Sequence, residues 1–473
     1  MRLGVGILRR GNIPLLLPSL LLLSSVFWCK TIAKKTVPTK DVSEKLVAAI
    51  NDLGRSLGKQ LATSDDDSTK AEIFSPVSIG TMMFLLLRIA NEGLRNELIA
   101  MLGLNGVKDI TKNFGHLLQE LTNDIASNGI LDELPGWYTK QSCYPPEYAD
   151  EYEDYTDFLP EPIEPNIIRI ANGMFVQDGL IHNNTDMVAL ASRLYKARIA
   201  RVNFRKEPED ARNSINQWVD SSTNGRIKEI LPASLPRTTQ LVLASALYFK
   251  ASWETFFNDP QYTRTQPFYP DGEDKPAVEV PTMFTGGCFP YYASPKLDAS
   301  IMAFPYRNRT TSMYIILPNA SNREKVRALR AQLGATELDQ LIGQMRRQKA
   351  MVVFPRMHVT SHYDLRDSLE RLGVKALFDP SKRNFKFEQS PKEKAKDTVD
   401  AVKKSPKLYV DSMVHQVDLE VNEHGTEGGA VTMAVMDRSA PPVTFRVRGP
   451  FLLAIRHDPT KMLLFYGAVY DPS

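Results

Sequence analysis

The sequence predicts an α+β protein built on large, mostly antiparallel sheets, and three observations carry that expectation. Helical patterns crowd the first part of the chain. Strand-like apolar runs dominate from Asn166 onward. The two kinds of segment do not alternate regularly, so a doubly wound parallel sheet is not expected. With 473 residues, 43% hydrophobic and 24% charged, the composition is globular. The length suits one large domain or two ordinary ones.

The elements follow in order. Val42, Leu46, Val47, Ile50, Leu53 and Leu57 recur at helical spacing over 42–62. Ser75-Pro76 is a helix-start signal, and "IFSPVSIGTMMFLLLRIA" continues as a helix too apolar to face water. Another helix follows through "NELIAMLGL", and an amphipathic one covers 110–126. "NIIRIANGMFVQ" reads as a strand, and "TQLVLASALYFKASW" (239–253) as a long buried one. Strands are also expected at 311–318, 350–359 and within 452–470. Further helices are expected at 209–222, 322–334 and 362–373. No internal repeat is visible.

The N-terminus stands outside the fold. Arg2, Arg9 and Arg10 precede the apolar run Ile13 to Trp28, the pattern of a secretory signal ending near residue 29. A spanning helix needs ~20 clean apolar residues, and Pro14 and Pro18 interrupt this run. The mature protein is therefore expected to be secreted, with no membrane partner. Cys29 lies at the edge of the signal. Cys143 and Cys288 then form one disulfide or stay free, and the sequence does not choose. Asn183, Asn308 and Asn319 open glycosylation sequons, meaningful in a secreted chain.

Two segments look like solvated insertions in a single domain spanning 40–473. Residues 132–165 hold ten acids, five tyrosines, six prolines and one lysine. Residues 390–407 are lysine-rich.

Enzyme chemistry finds little support. Net charge is only +3, which argues against a nucleic-acid partner. Seven histidines are present, but none in HExxH, and there is no CxxC pair, no G-x-S-x-G elbow and no phosphate loop. His358 and His362 have i,i+4 spacing, yet β-branched residues and no Glu lie between them. No metal site, no cofactor and no catalytic residue is assigned. Basic clusters at Arg193–Lys206 and "MRRQK" (345–349) read as solvated charge, with a polyanion site as the alternative.

Several stretches carry a family resemblance: "FSPVSIG" (74–80), "NSINQWVDSSTNGRIKEIL" (213–231), "LYFKASW" (247–253), "VNEHGTE" (421–427) and "GPFLLAIRHDPTKMLLFYGAVYDP" (449–472). In that order and spacing, over roughly 42–473, the chain resembles the serpins. The resemblance implies a serpin fold with three β-sheets, eight or nine helices and an exposed reactive loop near the C-terminus, here 423–445. It also implies a suicide inhibitor. A serine protease cuts the loop and is held as an acyl-enzyme while the loop inserts into the central sheet as a new strand. The resemblance assigns the hinge to Glu423, Gly425, Thr426, Glu427, Gly428, Gly429 and Ala430. It assigns a shutter and breach set to Ser75, Ser78, Trp253 and His415. Ser245 stands where the family usually has asparagine.

The loop sequence fits strand insertion. Residues 426–436 lack proline. Side chains alternate faces in a strand, and Thr426, Gly428, Ala430, Thr432, Ala434 and Met436 are all small or apolar. Glu427 and Asp437 fall on the other face, so a one-residue slip would bury both acids. At ~1 kcal/mol net per ladder bond, a dozen inserted residues supply on the order of 10 kcal/mol. Gly428 and Gly429, each costing ~0.5–1 kcal/mol in a strand, stand where small residues such as alanine are usual. Arg438–Ser439 is the natural trypsin-like bond, since a guanidinium pairs with a carboxylate in a specificity pocket. Loop length counted from Glu423 favours Ser439–Ala440 instead. The expected partner is a trypsin-like protease in a covalent acyl complex with a monomeric inhibitor. The setting suggested by the resemblance is an arthropod extracellular cascade of the Toll or melanisation type. The alternative is a non-inhibitory serpin that binds or carries a ligand. The acidic tyrosines of 132–165 are either a solvated loop or a docking strand for a basic protease surface.

Overall fold

Local chemistry starts the second helix where the sequence says it should. Ser75 is extended (φ −110°, ψ 102°) and its Oγ accepts the Ser78 N–H at 3.2 Å, with Pro76 at the first helical position. The computed structural model describes residues 40–61, 68–123, 134–138, 143, 167–180, 185–307, 310–382, 384–385, 408–426 and 442–473. Its helices are α1 (Lys40–Leu61), α2 (Pro76–Ile89), α3 (Glu92–Met101), α4 (Ile110–Asn123), α5 (Thr185–Tyr195), α6 (Pro208–Ser222), α7 (Arg323–Gln332), α8 (Ala335–Gln344) and α9 (Arg366–Arg371). Every α2 residue except Arg88 is buried, as its apolar sequence requires.

One sheet runs β10 (Met357–Asp364), β11 (Ser412–Val421), β4 (Leu241–Ser252), β2 (Ile167–Gln177), β3 (Ala197–Val202). A two-residue strand, β12 (Gly425–Thr426), pairs with the far end of β4. Its central strands β4 and β2 are buried on both faces, while the edge strands β10 and β3 each expose one. Leu241, Leu243 and Leu247 of β4 join the main core with α2, while Val242, Ala244 and Ala246 pack under α6. Trp218 of α6 stacks edge-on against Phe175 of β2, with ring centroids 5.2 Å apart.

The second hydrogen-bonded system runs β1 (Ala71–Phe74), β15 (Met462–Val469), β14 (Phe451–His457), β8 (Thr311–Pro318), β7 (Ala299–Pro305), β6 (Val278–Ser294), β9 (Arg346–Pro355), β13 (Val443–Arg446), with β5 (Arg264–Phe268) also on β6. The three expected sheets are here because β6 serves two of them. Its residues 278–291 pair with β5 and β9, and 291–294 with β7.

Three expectations need correction. The strand expected at 350–359 is two strands in different sheets. It breaks at Arg356, after Pro355, where the Arg356 N–H turns to Pro281 O. The helix expected at 362–373 is only Arg366–Arg371, because His362–Asp364 are still paired with β11. The acidic insertion is not solvated throughout. Trp137 is buried beneath the Arg347 guanidinium, 5.7 Å from its ring. The Tyr138 hydroxyl lies 3.0 Å from Ser312 Oγ and 3.2 Å from Asp458 Oδ2. Cys143 is disulfide-bonded to Cys288 of β6, which settles what the sequence left open.

Tyr138 thereby joins a buried charged cluster. Arg456 Nη1 lies 3.0 Å from Asp458 Oδ1 and its Nη2 2.6 Å from Asp339 Oδ1. Ser312 and Tyr314 hydroxyls each donate to Asp458 at 2.7 Å.

Candidate functional site: a seam, its lock and its mouth

β11 and β4 lie side by side in parallel, Ser412 to Val417 facing Val242 to Leu247. The chain direction makes this seam unusual. Every other contact in the sheet is antiparallel except the β2–β3 edge. A strand placed between β11 and β4 and running as β12 does would be antiparallel to both.

Behind the seam sits a wholly buried polar network. The Ser75 N–H donates to His415 Nε2 at 2.9 Å, so that nitrogen must be the acceptor. The ring proton is therefore on Nδ1, 3.1 Å from Ser245 O. Burial pushes the His415 pKa down to about 3, and the ring is neutral. Ser78 Oγ lies 2.9 Å from Ser245 Oγ, 3.0 Å from Ala246 O and 3.3 Å from Asn172 Oδ1. Asn172 Nδ2 donates to Ser78 O at 3.1 Å. Four elements meet here: the start of α2, β2, β4 and β11.

At the far end the ladder stops at Val417–Leu247, and the mouth of the seam is occupied. β11 turns at Asn422–His424, and β12 comes back against β4, Gly425 opposite Ser252 and Thr426 opposite Ala251. A Cβ on Gly425 would stand 2.1 Å from Ala251 O, so only glycine permits the approach. Trp253 holds the turn: its indole N–H donates to Asn422 O at 3.0 Å and its backbone N–H to His424 O at 3.1 Å. Glu423 is buried, its carboxylate accepting from Thr263 Oγ1 at 2.5 Å and its carbonyl from Phe257 N–H. Thr426 points inward, Oγ1 2.8 Å from the Tyr306 hydroxyl, and Tyr306 stacks on Trp253 at 4.6 Å.

Ser75, Ser78 and His415 thus meet in one lock, while Trp253, Glu423, Gly425 and Thr426 meet at the mouth. Glu427, Gly428, Gly429, Ala430, Arg438, Ser439 and Ala440 lie outside the described residues, as do Asn183 and Asn308. Asn319 is exposed on the turn after β8, its amide donating to Asp298. His358 and His362 part company: one is 2.9 Å from the Asp418 carboxylate, the other donates to Ile230 O. Among the described residues no three His, Cys, Asp or Glu side chains gather as a metal site. Sequence reasoning missed Asn172 and Tyr306. Asn172 was detectable as the lone amide in the middle of "NIIRIANGMFVQ", and it faces Ser245 in register. It supplies the carboxamide that Ser245 lacks.

The described residues flanking the acidic segment also border this region. Ile167 pairs with Lys250, next to Ala251, the partner of Thr426. Cys288 pairs with Lys349, next to Ala350, the partner of Val443 at the start of β13.

The central sheet thus has a parallel seam between β11 and β4, with a short returning strand paired to β4 beyond its end. The family described as Serpin (serine protease inhibitor) matches residues 48–472. Serine protease inhibitor 28Dc of Drosophila melanogaster is 32% identical over 448 residues, 91% of this chain and 80% of that one. The leukocyte elastase inhibitor of Equus caballus is 30% identical over 319 residues, 66% of this chain and 79% of its own. The crystal structure of human thyroxine-binding globulin complexed with thyroxine superposes with TM-score 0.70 at 20% identity, covering 91% of this chain and all of that one. The chain belongs to the serpin family, which includes serine protease inhibitors.

Proposed function

We propose that this chain is a secreted, monomeric suicide inhibitor of a trypsin-like serine protease. The observation that carries the reading is β12. Gly425 and Thr426 are already paired with β4 in the direction an inserted strand would take. The protease serine attacks the carbonyl of Arg438, the peptide bond to Ser439 breaks, and the new amine leaves with the C-terminal segment. The freed loop continues from Thr426 down the seam, with its small face inward, and carries the acylated protease with it. An extracellular cascade of the Toll or melanisation type is the proposed setting, with glycans on Asn183, Asn308 and Asn319. The carrier reading stands as the alternative because a thyroxine-binding globulin shares the fold.

Incubation with trypsin tests this. An SDS-stable complex is expected, with a released peptide that begins at Ser439, and Arg438→Ala should abolish both. A peptide beginning at Ala440, or inhibition that survives Arg438→Ala, moves the reactive bond to Ser439–Ala440. Trypsin that cuts the loop and walks away leaves the carrier reading.

The acidic segment is proposed as a docking strand for a basic protease surface, because both of its flanks border the roots of the loop. Deletion of 144–165, keeping the packed Trp137, Tyr138 and Cys143, should slow association with the physiological protease about tenfold at low salt and less at high salt. Equal rates at both salt concentrations would refute it.

A further inference from the structure

Insertion requires β11 and β4 to separate by the width of one more strand, an extra ~4.8 Å. α6 and the segment after it span that seam. α6 ends in a sharp reversal at Asn224 and Gly225, both with left-handed φ (57° and 81°). Thr223 Oγ1 fixes the turn by accepting the Ile227 N–H at 3.1 Å. The strap that follows, Arg226 to Leu231, is tied back to α6 by Asn216, which accepts the Ile230 and Leu231 N–H groups and donates to Leu231 O. Helix and strap therefore form one bracket.

The two ends of the bracket sit on opposite sides of the seam. On the β4 side, Trp218 of α6 packs over β2, so close to Gly173 that a Cβ there would lie 2.8 Å from the indole. On the β11 side, Arg226 Nη2 is 2.5 Å from Glu420 Oε2 and Nε is 3.6 Å from Asp418 Oδ1. His362 of β10 holds Ile230 O at 3.0 Å. Asp418 and Glu420 lie beyond the last β11–β4 pair, beside the mouth that β12 has begun to fill. Glu420 also accepts from Asn422, whose side-chain oxygen takes the His424 and Gly425 N–H groups. The seam cannot widen without either stripping Trp218 from β2 or releasing the strap from β11. The Arg226 pair is part-exposed, so water can take over its bonds, whereas the Trp218 contact is buried.

We propose that Arg226 sets the rate of sheet opening, by holding the strap to Glu420 and Asp418 of β11 across a seam that must widen for the loop to insert. It is a positioning residue: it acts through the strap and the acids of β11. The inference rests on the inhibitory reading, so its test is made independent of any protease. A synthetic peptide copying residues 427–438 is annealed into the intact, full-length chain, and the rate is followed by native-gel shift and by the rise in thermal midpoint. Arg226→Met should speed annealing about tenfold, the loss of one charge-assisted bond. Arg226→Lys, the variant least able to disturb folding, keeps the charge without the fork and should fall between. The pair Arg226→Glu with Glu420→Arg should return the rate to within a few-fold of the natural chain, which a merely structural role would not do. Unchanged annealing in both single variants, or a charge-swapped chain as fast as Arg226→Met, overturns the proposal. If annealing accelerates as expected while trypsin forms no complex, the brake stands and the inhibitory reading fails.

Discussion

Two buried polar networks in this molecule are built from different chemistry. The lock behind the seam (Ser75, Ser78, Asn172, Ser245 and His415) is fully buried and carries no charge. The cluster around Asp458 and Arg456 is equally buried but ionic. The first ties together β11 and β4, the strands that the proposed insertion would part. The second ties β14 to its antiparallel neighbour β8, an apolar pairing with no seam to open. A neutral hydrogen bond contributes about 1 kcal/mol net, and its partners can find replacements. Splitting a buried ion pair leaves a charge with nothing to balance it. On the proposed mechanism, exchangeable bonds stand where strands would part and costly ones where they would not.

The sharpest way to break that contrast is to unbalance the ionic cluster. Burial pushes the Asp458 carboxyl up, against the pull of Arg456 and the Ser312 and Tyr314 hydroxyls. Arg456→Met removes its main counter-charge and should cost about 4 kcal/mol in urea unfolding. Adding Asp458→Asn should recover most of that loss, because the stranded charge goes with it. If the single variant costs under about 1 kcal/mol, the cluster is no firmer than a surface pair and the contrast collapses.

Much of this arrangement was legible in the chain. The Ser75-Pro76 helix start and the buried run of β4 sit where the sequence implied, and Ser75, Ser78 and His415 meet behind the seam as Trp253, Glu423, Gly425 and Thr426 do at its mouth. What escaped shares one physical feature: it depends on which residues meet across long separations. Periodicity made 350–359 one strand because both halves are apolar, and only tertiary pairing sends β9 and β10 to different sheets. Composition made 132–165 a solvated stretch because ten acids outweigh one tryptophan and one cysteine. Yet Trp137 and Cys143 find Arg347 and Cys288 from far along the chain. Asn172 shows the same limit. An amide in an apolar strand signals a partner, but its identity comes only from the β2–β4 register.

The lock offers the finer test, through pH. Unfolded His415 has an ordinary pKa near 6.5, whereas burial holds the folded ring at about 3. The folded state therefore binds fewer protons, so the stability tied to this group is complete above pH 6.5 and drains as the pH falls toward 3. The geometry gives the reason. A protonated ring would aim Nε2–H at the Ser75 N–H that now donates to it. By pH 5 the loss should reach about 2 kcal/mol. His415→Gln can still accept from Ser75 and donate to Ser245 O, but it takes no proton. His457, also pushed down to about 4 by burial and the neighbouring Arg456, titrates in both proteins and cancels in the comparison. Urea unfolding from pH 7 to pH 5 should therefore show a shallower decline for His415→Gln, by roughly one proton's worth of slope. Parallel declines would mean that the ring is not held neutral in the fold. The lock would then not be the uncharged, exchangeable network that separates it from the cluster at Asp458.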